Sequence, residues 1–212
     1  MLQPSFDKPP IIIEPPQPPR AACIWLHGLG ADGHDFEPVV HMLQLPVSVR
    51  FVLPHAPVQP VTINGGLPMR AWFDIRSLQL DEDVDIEGIN GSSAAVAELA
   101  RAQNLPVVLA GFSQGGLIAL HAALQAGAAE AVMALSTWYP FTPPTTALPV
   151  FMAHGTADEI VPLSLAEESA ARLEAAGAQV DWHTWPMGHT VIPEEIAALN
   201  QWLNRKLEAL DG

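Results

Sequence analysis

Cysteine, tyrosine and cationic side chains are all scarce in this 212-residue chain, which carries one Cys, one Tyr and nine Lys plus Arg against 23 Asp plus Glu. The lone Cys23 rules out an internal disulfide, and its place in the apolar run 21–26 reads as a small buried hydrophobe. A formal net charge of −14 argues against a nucleic-acid or anionic-membrane partner, since both need clustered cations. No apolar stretch is long enough to span a bilayer, and residues 1–10 lack a signal-peptide h-region, so the expected compartment is the cytoplasm. No His, Cys and Asp grouping has metal-ligand spacing and no Walker-type loop occurs; neither metal nor cofactor is expected.

Proline, by contrast, is plentiful, with 21 residues. Pro4, Pro9, Pro10, Pro15, Pro16, Pro18 and Pro19 surround the triplet Ile11-Ile12-Ile13. Residues 1–19 therefore read as an extended strap with one candidate edge strand, laid on a single domain over 20–212. Apolar β-type runs follow at 21–26, 49–53, 107–111, 130–135, 149–153 and 179–184. Helical patterns occupy about 34–44, 87–103, 114–126, 163–176 and 193–210, with core stripes Ala166, Ala170, Leu173, Ala176 and Ile196, Leu199, Leu203, Leu207, Leu210. This alternation predicts the α/β class, a mostly parallel sheet covered by helices on both faces. Residues 54–86 break the pattern as a proline- and glycine-bearing excursion, and so long an irregular segment is a candidate functional loop.

Gly111-Phe112-Ser113-Gln114-Gly115 stands between the apolar run 106–110 and a helical segment. G-x-S-x-G in strand–turn–helix context is the signature of a nucleophile elbow, which exposes the serine hydroxyl at the strand's C-terminal end. The plainer reading is a serine N-cap. A nucleophilic serine needs a base, and the base needs an orienting carboxylate, in the chain order Ser, acid, His. Of eight histidines, His27, His34, His41 and His55 precede Ser113, His121 lies in the elbow helix and His183 in the last strand. His154 precedes the best acid. His189, in the loop before the final helix, has the required position. Asp158, after the strand ending near 153, is the acid; Glu159 is its neighbouring alternative, and Asp181 sits in mid-strand. The oxyanion donors expected are the backbone N–H groups of Gln114, next to the nucleophile, and of Leu29, in the glycine turn after Leu26. That turn also satisfies G-x-G-x-x-G over 28–33, but no carboxylate follows at the spacing a dinucleotide ribose needs.

With Leu26–Gly33, Val61–Gly66, Trp72–Ile75, Ala110–Gly116, His154–Asp158 and Met187–His189 in this order, the chain resembles the carboxylesterase and acyl-protein thioesterase family of α/β-hydrolases from about residue 20 onward. The resemblance implies an α/β-hydrolase fold without a cap domain and a Ser113–His189–Asp158 triad. It also implies an oxyanion hole at Leu29 and Gln114, and an acyl groove to which Trp72, Ile75 and Trp138 contribute. It implies a cofactor-independent serine carboxylesterase for small short- to medium-chain esters. The alternatives are an acyl-protein thioesterase or lysophospholipase and, remotely, a catalytically dead binding module. Relatives of this family often pair weakly, which suggests a weak homodimer.

Overall fold

The computed structural model describes residues 6–211; Pro4 of the strap and the side chain of Leu210 lie outside what is described. Seven strands form one sheet in the order β1-β3-β2-β6-β7-β8-β9. They are β1 (Ile11–Ile13), β2 (Ala21–Leu26), β3 (Val49–Leu53), β6 (Val107–Phe112), β7 (Ala131–Leu135), β8 (Pro149–Gly155) and β9 (Gln179–Trp185), with the short β4 (Val58–Pro60) and β5 (Pro68–Arg70) forming a separate hairpin. Every pairing within the large sheet is parallel except β1 with β3.

Central strands are apolar throughout because both faces are covered. Alternate residues of β2 make the point: Ala22, Ile24 and Leu26 join the core under α2 (Ile86–Arg101), α3 (Gln114–Ala126) and α4 (Leu163–Ala175). Ala21, Cys23 and Trp25 face the opposite core, under α1 (Glu37–Met42) and α5 (Pro193–Asp211). Burial raises the Cys23 thiol pKa well above its ordinary range, which leaves it an inert hydrophobe.

Two departures from the sequence pattern have local causes. Helix α1 starts later than the pattern at 34 suggests, because the Asp32 carboxylate accepts the His34 N–H at 2.8 Å and turns the chain first. The excursion at 54–86 is also more ordered than its composition suggests. Val58 opposes Arg70, Gln59 opposes Met69 and Pro60 opposes Pro68. A two-stranded ribbon has only edges, so its prolines block no further ladder.

Glu195, in the first turn of α5, is fully buried, and among the described residues neither carboxyl oxygen has a hydrogen-bond partner. Burial pushes its pKa from 4.5 up to about 8, against a smaller opposing pull from the nearby Ile192 backbone, whose N–H falls short of a hydrogen bond to it. A carboxyl that holds its proton longer when folded makes the protein less stable as pH rises through the interval from 4.5 to about 8. Glu195→Gln keeps the shape without the charge. It should raise the thermal midpoint above pH 7 by the equivalent of a few kcal/mol, at about 1.4 kcal/mol per pKa unit, and have little effect at pH 4. Melting curves of both proteins across pH 4–9 check this; parallel profiles would contradict it.

Candidate active site

Strand β6 ends at Phe112, α3 begins at Gln114, and Ser113 between them takes φ 55° and ψ −121°. A non-glycine residue in that region is strained and persists only where its surroundings impose it. Here they do. The Ser113 N–H donates to Leu135 O at 2.9 Å, while its carbonyl accepts from Gly116 N, Leu117 N and Thr137 Oγ1 at 3.0, 3.2 and 2.7 Å. The side chain makes no capping hydrogen bond, so the hydroxyl is not spent as an N-cap. The elbow's two flanking glycines answer to close packing. A Cβ on Gly111 would overlap the Gly115 backbone, and one on Gly115 would overlap the Leu26 carbonyl in β2.

The residue sits in close surroundings, Ser113 as a whole being only 6% exposed. The glycine turn after β2 crowds it: a Cβ built on Gly28 would stand 3.6 Å from Ser113 Cβ.

Asp158 and His189 meet through the sheet. Strand β8 continues to Gly155, and beyond it Thr156 N and Ala157 N donate to Trp185 O and Met187 O at 2.8 and 3.0 Å. The turn carrying the acid is thus bonded to the loop carrying His189. His189 Nδ1 lies 2.8 Å from Asp158 Oδ2, and Asp158 Oδ1 accepts the N–H groups of Ile160 and Val161, both at 2.9 Å. Burial pushes the Asp158 pKa up, but the hydrogen bonds from His189, Val161 and Ile160 outweigh it and hold the carboxyl below its ordinary value. The carboxylate partner calls for the proton on Nδ1 of His189, leaving Nε2 as the acceptor. The His189 ring packs on Phe112, the residue before Ser113, with centroids 4.7 Å apart. Among the described residues no hydrogen bond joins Ser113 Oγ to the imidazole.

Gly155 is where the two loops touch, because a Cβ there would overlap the carbonyls of Met187 and Gly188. Gly155→Ala should displace the His189 loop and reduce kcat by about 10²-fold, as displacements near 1 Å do. The fold should survive, as circular dichroism would report; unchanged kcat would show that the contact does not set the position of His189.

The turn after β2 is held by a network that composition alone does not reveal. His27 Nε2 accepts the Ala56 N–H at 3.0 Å, so the ring proton belongs to Nδ1, which bonds the Gly28 carbonyl at 2.7 Å. Burial holds His27 neutral, with a pKa lowered to about 4. The Trp72 indole N–H donates to His27 O at 2.8 Å. The Gln114 amide accepts Trp72 N–H at 3.0 Å and donates to Phe73 O at 2.9 Å. The Leu29 N–H meets no acceptor among the described residues, and the Gln114 N–H opens a helix, where no intrahelical acceptor exists.

Of the three residues expected at an acyl groove, Trp72 is buried at 1% exposure beneath the glycine turn after β2. Trp138 is buried too, donating its indole N–H to Leu80 O at 3.1 Å. Ile75 is half-buried. Together with Phe73, Leu80 and Val84, Ile75 and Trp138 line a narrow crevice of about 10 Å³. Arg76 fastens the flanking loop, reaching Asp85 at 2.8 Å and Asp74 at 3.6 Å. The hairpin joins the same region, because Thr62 N and Thr62 Oγ1 donate to Asp74 at 2.7 and 2.6 Å.

Chain order sets His154 aside as a base, yet the fold brings it against Asp158. It is fully buried, with Nε2 2.9 Å from Val161 O and 3.4 Å from Asp158 Oδ2. Its pKa is lowered by burial, so it stays neutral beside the carboxylate. The i, i+4 spacing of His154 and Asp158 is the only sequence signal of this contact. Among the described residues, no group of three or more His, Cys, Asp or Glu could hold a metal.

Comparison with known proteins adds a family to this geometry. The model of the phospholipase/carboxylesterase family matches residues 8–207. The acyl-protein thioesterase 1 of Mycosarcoma maydis is 38% identical, over 90% of this chain and 93% of the relative. That of Gibberella zeae is 35% identical, over 93% and 95% respectively. Among solved structures, Zea mays acyl-protein thioesterase 2 superposes with a TM-score of 0.85 at 28% identity, covering 93% of this chain and 98% of the maize protein.

Proposed function

The chain belongs to the phospholipase/carboxylesterase family of α/β-hydrolases and is a serine hydrolase of ester or thioester bonds; on that premise we propose that it is an acyl-protein thioesterase, releasing acyl chains from cysteine thioesters. The observation that carries the chemistry is the strained, uncapped Ser113 at the elbow, beside a histidine bonded to a buried carboxylate. The preference for thioesters rests on the two fungal relatives, both named acyl-protein thioesterase and both more than 30% identical over nearly the whole chain.

In this reading Nε2 of His189 takes the Ser113 proton as Oγ attacks the thioester carbonyl. The Leu29 and Gln114 N–H groups receive the oxyanion, at about 3 kcal/mol of transition-state stabilisation each. The tetrahedral intermediate collapses by breaking the C–S bond. The thiolate leaves with the proton held by His189, and water then hydrolyses the acyl-enzyme by the same route. The missing Ser113–His189 hydrogen bond is a contact that forms as substrate docks, since catalytic bonds tighten in the Michaelis complex. The acyl chain would enter past Ile75 and open the crevice beneath it. Residues 20–212 act as one catalytic unit behind the proline strap, acting in the cytoplasm. No described helix is long and apolar enough to cross a membrane.

Small soluble esters remain the second reading, because the attacking group and oxyanion donors are identical for both bonds. The test compares kcat/KM for a palmitoyl-cysteine peptide, p-nitrophenyl butyrate and a lysophospholipid. The thioester should lead by at least about tenfold, a difference of 1.4 kcal/mol in transition-state binding. A lead for the butyrate ester would return the enzyme to small esters.

A further inference from the structure

The two edges of the seven-stranded sheet are protected unequally. At one edge β1 is three residues long and bracketed by Pro9, Pro10, Pro15 and Pro16, devices that deny a second chain a ladder. At the other edge β9 runs seven residues without proline or lysine and, among the described residues, pairs only with β8. Gln179 N donates to Leu148 O at 2.9 Å and Trp185 O accepts from Thr156 N at 2.8 Å, so the odd-numbered residues aim their backbone groups at the β8 side. Strand geometry turns the N–H and C=O groups of Val180, Trp182 and Thr184 outward. Among the described residues none of these outward groups has a hydrogen-bond partner.

We propose that this edge pairs with the same edge of a second copy, antiparallel and centred on Trp182, making one continuous sheet across a two-fold axis. A centre at residue 182 lets all seven residues of each strand pair. Trp182 then opposes itself and Val180 opposes Thr184, all in the hydrogen-bonded class, for about six backbone bonds. Asp181 opposes His183 in the class where facing side chains come closest. These two already meet within one chain, His183 Nε2 lying 2.9 Å from Asp181 Oδ1, and Arg205 of α5 stands 3.4 Å from the other carboxylate oxygen. The dimer doubles that arrangement, with each carboxylate flanked by histidines from both copies. Other registers lose it. A centre at Asp181 sets two carboxylates face to face, and a centre at His183 leaves Gln179 and Val180 unpaired. A self-complementary pattern of carboxylate and imidazole at the one register of full overlap selects a second copy of this chain as the occupant.

Sedimentation at graded concentrations tests the pairing, and the natural protein should reach twice the monomer mass. Thr184 is exposed with an outward N–H. Thr184→Pro removes that donor and obstructs the partner without breaking the β8·β9 ladder, so it should sediment as a folded monomer. A second variant covers the case in which the proline unfolds the chain. In Val180→Cys/Thr184→Cys the two thiols of one strand lie about 13 Å apart, beyond disulfide reach, so a disulfide can join only two copies. Buried Cys23 does not compete. Oxidation should give a covalent dimer, which Thr184→Cys alone should not. A natural protein that stays monomeric at every concentration, or a double variant that never cross-links, overturns the proposal.

Discussion

Replacing Ser113 with alanine is expected to lower kcat by about 10⁶-fold, the loss seen when a triad nucleophile is removed, while leaving the fold intact. The hydroxyl makes no capping bond and no bond to His189, so its removal orphans no partner. The elbow's backbone bonds, from Ser113 N to Leu135 O and from Gly116 N and Leu117 N to Ser113 O, do not involve the side chain. Alanine inherits the same φ of 55° and the same strain, so the thermal midpoint should move little. Activity and melting must therefore separate. A variant with near-normal turnover on p-nitrophenyl butyrate would exclude Ser113 as the nucleophile, and one that loses turnover only by unfolding would leave the elbow with a structural duty.

The second large effect is at Asp158. Its two oxygens do different work, since Oδ1 accepts two backbone N–H groups and Oδ2 faces His189 Nδ1. In Asp158→Asn the amide oxygen must take the Oδ1 position, because an NH₂ there would oppose the Ile160 and Val161 donors. The NH₂ group then confronts His189 and forces the ring proton from Nδ1 to Nε2, where it blocks the base. An expected loss of about 10⁴ in kcat follows from such a tautomer error. Glu159 is exposed, so Glu159→Gln should behave as the natural protein. Equal losses in both variants would mean that the carboxyl acts through bulk charge rather than through the tautomer.

Much of the architecture was legible because hydrophobic period carries it. Buried parallel strands read as short apolar runs, and β2 and β3 begin and end where the runs do. The β4–β5 hairpin was hidden because its pairs include Pro60 opposite Pro68, residues that ordinarily argue against strands. Ser113, Asp158 and His189 were legible as candidates because each stands at a strand's C-terminal end. The supports around them were not. Trp72 looks like a groove residue in sequence, yet it donates an indole hydrogen bond to the His27 carbonyl. His27 was set aside by chain order, which sorts candidate bases but says nothing about which ring braces a turn. Gln114 was expected for its backbone N–H alone, and its amide clamp on the backbone of Trp72 and Phe73 arises from contacts more than 40 residues away. Long-range polar contacts of this kind leave no periodic trace.

The most direct test of the central claim is covalent capture. The folded protein is treated with a fluorophosphonate, digested, and the modified peptide is read by mass spectrometry. The account predicts one phosphonyl group per chain, on Ser113, and none when Ser113 is alanine. A folded protein that stays unlabelled, or one labelled on a different serine, would contradict it.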